Sequence, residues 1–202
     1  SNISYETQPI DSEQEFLDEL QSDPAIKNVQ VFATKAGIIK TRSDIQGVVL
    51  KGVGPDYNWD FLKEYLLEGS VPVILDSVQN NNVLISKYIA SLLKLDLNED
   101  FLMYFIQDPP RMRRFTVAGI FETSLEEFDK IYVFGDIRHI QRLNDWSPEQ
   151  VSGFEVYISD FPELEEETYR VMNMVGFGFE DDGSRLKVVN IRDKYPQIFD
   201  WL

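Results

Sequence analysis

The chain has 202 residues, of which 43% are hydrophobic and 13% aromatic, enough to bury the core of one large domain or two small ones and to exclude a disordered chain. Its 35 acidic residues outnumber 19 Lys and Arg for a net charge of −16; this favours solubility and sets a repulsive background against nucleic acid or an anionic lipid surface. The absence of cysteine excludes disulfides, thiolate metal sites and a cysteine nucleophile, and no apolar run approaches the ~20 residues of a membrane-spanning helix.

Ser1 opens a polar segment without a basic n-region, so no signal peptide is expected. Residues 3–9 read as a strand with a turn at Pro9. Asp11 or Ser12 then caps a helix carrying Phe16, Leu17 and Leu20, with Ser12 and Glu15 as a capping box, and Asp23-Pro24 ends it. Val29, Val31 and Ala33 alternate as a strand that continues past Gly37, and Ile45 to Val53 forms another, closed by a turn at Gly52-Val53-Gly54-Pro55.

From residue 55 the texture changes. Trp59, Phe61, Leu62, Tyr65 and Leu66 predict a short amphipathic helix stopped by Gly69, and Asn80-Asn81-Asn82 a loop. Ser86 caps a helix through Ile89, Leu92 and Leu93. Strands follow at Phe101–Gln107, Phe115–Phe121 and Lys130–Phe134. Asp136 caps a further short helix, and Ser147-Pro148-Glu149-Gln150 has the form of a helix start. Phe154, Val156 and Ile158 then alternate as a strand, and a helix runs from about Pro162 to Val175, where Gly176 ends it. A turn at Asp181-Asp182-Gly183, a strand at Leu186–Ile191 and an amphipathic tail from Asp193 to Leu202 complete the chain. Residues 1–54 and 152–191 thus share a strand–helix–strand rhythm. Together they predict an α+β fold: a ferredoxin-like split βαβ unit interrupted by a mixed insertion over 55–151.

The chemistry available is limited. His139 is the one histidine, read as an ordinary half-exposed helix residue, and no G-x-S-x-G elbow supplies a serine nucleophile for it. Zinc wants several His or Cys ligands and calcium an acidic loop; the chain offers neither pattern. The acidic runs Glu126, Glu127, Asp129 and Glu163, Glu165, Glu166, Glu167 read as solvated faces, the second favoured by a helix dipole. Gly52-Val53-Gly54-Pro55 breaks the dinucleotide fingerprint, and there is no phosphate-binding loop. Against the acidic background, Arg111, Met112, Arg113 and Arg114 stand out. They form either a hairpin connection whose arginines pair with nearby acids or a protein-docking edge, since Arg and Met suit interfaces.

Several short segments carry a resemblance: Phe32-Ala33-Thr34-Lys35-Ala36-Gly37-Ile38-Ile39, Gly47-Val48-Val49-Leu50-Lys51-Gly52-Val53, Val83-Leu84-Ile85-Ser86, Phe115-Thr116-Val117-Ala118-Gly119-Ile120-Phe121 and Asp136-Ile137-Arg138-His139-Ile140-Gln141. In that order and spacing, the chain resembles the MacB-like periplasmic core domain of bacterial ABC-transporter permeases, closest to the lipoprotein-releasing LolC/LolE family. The resemblance implies a porter-like subdomain built from both ends of the domain (1–54 and 152–202) and an inserted sabre-like subdomain (55–151). It places the domain on the periplasmic face of the inner membrane, between membrane helices, with the tail at Tyr195–Leu202 leading into the next one. It implies no catalysis and no cofactor in this polypeptide. The expected partners are an ATP-binding subunit, a second permease subunit in a homo- or heterodimer, lipoprotein cargo and a periplasmic chaperone. The chaperone-recruiting relatives carry a long hook loop with a basic pad before the strand matched by Phe115–Phe121. Gln107 to Arg114 is too short for that hook, and Arg113 alone matches a pad position, which puts chaperone binding in question. MacB-type export of a peptide or small molecule, regulation of cell-wall enzymes, and a free-standing carboxylate hydrolase are the competing readings.

Overall fold

The computed structural model describes residues 5–176 and 186–196. Its organising element is β2 (Ile26–Lys40), a strand of 15 residues. β3 (Ile45–Val53) folds back on it antiparallel, Phe32 opposite Val53 and Lys40 opposite Ile45. β8 (Tyr132–Asp136) runs parallel to β3, and β5 (Asn82–Ser86) meets β8 through the pair Leu84 and Phe134. β7 (Arg111–Phe121) lies parallel to β5, and β6 (Asp100–Phe105) is antiparallel to β7. β6 also pairs with the far end of β2, Ile38 opposite Tyr104 and Ile39 opposite Met103. The order β2–β3–β8–β5–β7–β6–β2 is therefore a closed ring.

Closure gives the ring an inside, and alternation decides what fills it. Ala33 and Ile39, Val48 and Leu50, Val133, Val83 and Ile85, Phe115 and Val117, and Phe101, Met103 and Phe105 join one buried cluster to which every ring strand contributes. Two helices complete it: α3 (Lys87–Leu93) through Ile89, Ala90 and Leu93, and α5 (Arg138–Leu143) through Ile140 and Leu143. The alternate residues Val49, Val53, Leu84, Phe121, Tyr132 and Phe134 form a second cluster outside the ring, covered by Tyr57 and by Leu62 of α2 (Asp60–Glu64). Each fully buried Phe or Leu contributes ~1.5–3 kcal/mol, so both sides of these strands matter to stability.

Two strands extend the sheet beyond the ring. β10 (Gly153–Ile158) pairs antiparallel with the first half of β2, and β4 (Leu66–Gly69) with the end of β7. A separate two-stranded ribbon joins β1 (Ile10–Asp11) to β9 (Gln150–Val151). α1 (Leu17–Ser22) lies over β2, with Phe16 edge-on to Phe154 of β10. A 3-10 turn (Phe161–Glu163) leads into α6 (Leu164–Val175), whose Arg170 is ion-paired with Asp23 at the end of α1. The fold is α+β with a mixed sheet, as the sequence predicts. The helices expected after Ser86 and Asp136 are present too: Ser86 Oγ accepts from Ile89 N at 3.1 Å and Asp136 Oδ1 from Arg138 N at 3.0 Å.

Five expectations are corrected. Among the described residues of the segment 3–9 there is no strand; pairing begins only at Ile10. Asp11 uses its carboxylate to take Glu13 N at 2.8 Å, so the capping signal closes a turn and the helix starts later, at Leu17. Leu66–Gly69, expected as helix, is recruited as a strand by the free edge of β7. At Ser147-Pro148-Glu149-Gln150 the Gln150 side chain accepts from Ser147 N at 2.9 Å, which closes a turn before β9 where a helix was expected. Residues 186–190 form no strand; Asn190 caps the short helix α7 (Ile191–Lys194) by accepting from Asp193 N. The turn expected at 181–183 and the tail beyond 196 lie outside the described residues.

β3 offers a paired test of packing. A Cβ at Gly52 would sit 2.6 Å from Ile137 Cα, whereas one at Gly47 meets nothing within 4 Å. Gly52→Ala should cost ~1–3 kcal/mol in urea unfolding by pushing α5 off the ring, and Gly47→Ala should stay within ~0.5 kcal/mol of wild type. Equal effects would mean that the β3–α5 contact yields freely.

Candidate docking surface

The four residues singled out in the sequence, Arg111 to Arg114, occupy the start of β7, immediately after the β6–β7 connection. Opposed residues in an antiparallel pair share a face. Tyr104 opposes Met112 and Leu102 opposes Arg114, and these side chains point outward. Met103 opposes Arg113 and Phe105 opposes Arg111, on the side of the ring interior. What looks like one basic cluster in the sequence is two half-clusters on opposite faces.

The outer row is apolar with one cation. Met112 is 55% exposed and Ile106, in the connection, 79%. Exposed Tyr104 lies between Met112 and Ile38 of β2, so the row crosses three strands. Arg114 borders it. On the inner side, Arg113 is half-buried and donates to Met112 O at 2.9 Å. Burial, together with the neighbouring Arg111 and Arg142, lowers its pKa. Among the described residues, none of Arg111, Arg113 and Arg114 has an acid within ion-pair distance, so pairing with nearby acids does not account for them.

Other charged groups are committed to structure. His139 is only 1% exposed, not half-exposed as expected: its ring stands edge-on to Phe115 at 4.7 Å, and Nε2 lies 2.8 Å from Asn80 O. Burial lowers its pKa, with Arg113 and Arg142 acting in the same direction, and keeps it neutral. Asp136 is fully buried and paired with Arg138, whose guanidinium also donates to Asp76 O and Val78 O and so pins the loop 71–79. The acidic runs are not wholly solvated either. Asp129 is buried and accepts from Thr123 N and Oγ1, and Glu167 is buried against Arg170. An open cleft of about 420 Å³ lies between α1 and this loop, with Leu17, Val31, Ile74 and Phe154 among its walls. Asp56 on its rim has a pKa raised by burial and accepts from Val31 N at 3.0 Å.

The outer sheet face carries a partly buried ion pair, Lys51 with Glu155, joining β3 to β10 across β2. Gln30 donates to the same carboxylate at 3.0 Å, and the Lys51 ammonium lies over the rings of Phe32 and Phe134. Burial pushes the Glu155 pKa up, but Lys51 and Gln30 more than offset this and hold it below the ordinary value. Lys194 of α7 reaches the same region over the Phe32 ring, its pKa lowered by burial and by Lys51. Next to it, the Tyr195 and Tyr132 hydroxyls are 2.7 Å apart, which ties the segment after α6 to β8.

Among the described residues no three His, Cys, Asp or Glu side chains group as a metal site, and no helix is long and apolar enough to cross a membrane. The fold is that of extracytoplasmic domains of ABC-type transporters. It matches the extracellular domain of the noncanonic ABC-type transporter YknZ from Gram-positive bacteria with a TM-score of 0.52 at 13% identity, over 89% of this chain and 90% of that one. It matches the periplasmic region of MacB from Actinobacillus actinomycetemcomitans with a TM-score of 0.53 at 14% identity, over 92% of this chain and 81% of that one. At such identity the likeness is one of fold. No protein-family model matches the sequence, and no curated protein does.

Lys51→Met would leave Glu155 buried with Lys194 as its remaining cation. Urea unfolding at pH 7 should show a loss toward the lower end of the ~3–5 kcal/mol typical of a broken buried pair. The sign with pH is fixed by the direction of the shift. A carboxylate held below its ordinary pKa of 4.5 stabilises the native protein above that pH and loses this contribution as pH falls through its folded value. In the variant, burial raises the same pKa, so the gap to wild type should narrow between pH 7 and pH 5; a gap of constant size would remove Glu155 as its cause.

Proposed function

We propose that this chain is the extracytoplasmic domain of an ABC-transporter permease, which docks partners and transmits motion driven by a separate ATP-binding subunit, without catalysing a reaction itself. The observation that supports this most is the fold match to YknZ and MacB domains over nearly the whole of each chain. In this reading, the domain lies outside the cytoplasmic membrane between membrane helices of a longer protein, which pairs with a second permease subunit. Segments 1–54 and 152–202, joined where β10 pairs with β2, act as the porter-like part, and 55–151 as the sabre-like part. The finer proposal is release of lipoproteins toward a periplasmic chaperone. The match to the MacB region keeps export of a peptide or small molecule as the second reading. Arg111, Met112, Arg113 and Arg114 supply the docking edge, with Tyr104, Met112 and Arg114 on its outer face.

The full-length protein, purified from membranes, should bring an ATP-binding subunit and ATPase activity with it; recovery without either would sink the transporter reading. Its depletion should leave lipid-modified proteins in the inner membrane if lipoproteins are the cargo, and should instead sensitise cells to an exported compound if they are not. Met112→Glu with Arg114→Glu should preserve the melting temperature. Two interface contacts at ~1 kcal/mol each weaken docking roughly 30-fold, and transport should fall with it. Full transport by the folded double variant would exclude the outer row from docking.

A further inference from the structure

The inner half of the arginine cluster has a third member that sequence proximity does not reveal. Arg111 and Arg113 are two residues apart on one face of β7, on the side of Met103 and Phe105. α5 packs into the same interior through Ile140 and Leu143 and ends with Arg142 exposed in its last turn. The hairpin and the helix end are tied together, since Gln107 Nε2 donates to Leu143 O at 3.0 Å. Three arginines therefore lie around the hairpin rim of the ring, with Arg111 and Arg142 both acting electrostatically on Arg113.

Such a cluster opposes folding unless an anion lies among its members. The chain has 35 acidic residues, and several other cations use them: Lys51, Lys87, Lys130, Arg138 and Arg170 all have carboxylate partners. Among the described residues, Arg111, Arg113 and Arg142 have none within ion-pair distance. His139, which both Arg113 and Arg142 act on, has its pKa lowered by burial and adds no positive charge at pH 7.

We propose that Arg111, Arg113 and Arg142 form a binding site for an extended acidic segment of a partner protein. Spacing decides in favour of a peptide. Residues i and i+2 of a strand are about 7 Å apart, the spacing at which an extended peptide presents carboxylates from alternate positions. Each guanidinium can then take one carboxylate in paired hydrogen bonds, with Arg142 closing the site from the helix side. The net charge of −16 works against a broad anionic surface such as a membrane, while a narrow segment reaches the arginines within a screening length of ~8 Å. This site is on the opposite face of β7 from Tyr104, Met112 and Arg114; it rests on the proposed docking edge at Arg111 and Arg113, while its peptide-binding test is read without any transport measurement.

The test uses this domain and a fluorescein-labelled octapeptide of alternating Glu and Thr, followed by anisotropy. A matched Lys–Thr peptide, inorganic phosphate and vesicles containing an anionic lipid serve as the comparison probes. Saturable binding of the acidic peptide that weakens with salt, with little binding of the others, is expected. Arg113→Gln and Arg142→Gln should each lower affinity about tenfold, and Arg114→Gln should leave it unchanged. Removal of like-charge repulsion in Arg113→Gln should also hold or raise the melting temperature of the free domain. The proposal is overturned by absent peptide binding, by equal losses in Arg113→Gln and Arg114→Gln, by phosphate or vesicles binding as well as the peptide, or by a fall in melting temperature showing that Arg113 serves the fold.

Discussion

Much of this structure depends on the short bridge between β6 and β2. β6 is hydrogen-bonded along β7, and two of its residues, Met103 and Tyr104, also pair with Ile39 and Ile38. Without that bridge the sheet would be open, with Phe101, Met103 and Phe105 on an uncovered edge. With it, the same side chains line an enclosed interior that α3 and α5 complete. Closure also fixes the rim. It brings the β6–β7 connection against the end of α5 and so assembles Arg111, Arg113 and Arg142 from segments about thirty residues apart in the chain.

The charged groups divide by what surrounds them. Inside, each is matched: Asp136 with Arg138, Glu155 with Lys51 and Gln30, Asp129 with Thr123, and His139 kept neutral by burial. Such pairs contribute less to net stability than to fixing one arrangement, because desolvation consumes most of the Coulomb attraction. At the rim the matching stops. There, among the described residues, Arg111, Arg113 and Arg142 have no carboxylate within ion-pair distance, and a row of exposed apolar side chains lies on the other face of β7. The carboxylate at the open cleft, Asp56, has its pKa raised by burial and accepts a hydrogen bond from Val31 N.

Much of the strand framework was legible in the sequence because period-two alternation is a strong local signal. The bounds of β3 were read in full, and Ser86 and Asp136 announced their helices through capping chemistry. The misreadings have two causes: a distant strand edge overrode a local pattern, and side chains that suit a helix start closed local turns instead. Leu66–Gly69 fits a helical stripe but meets an open edge of β7, and Ser147–Gln150 has a helix-start composition but closes a turn before β9 meets β1. The candidate site was half legible. Arg111–Arg114 were visible as a run, yet their split over two faces follows from the strand register, and Arg142 joins them only through the packing of α5. An alternation count outward from Phe115 would have separated Arg113 and Arg111 from Met112 and Arg114.

β2 belongs to two bodies at once. Its second half is built into the closed ring, between β3 and β6, and its first half carries β10 as an open flap. At about 3.3 Å per residue, its 15 residues make a rod of roughly 50 Å. A pull along that rod loads the hydrogen bonds of β3 and β10 in shear, where many must break together. A pull across it at the flap opens the β10 ladder one rung at a time. The domain is thus stiff along one axis and compliant along another, an anisotropy set by a single long strand.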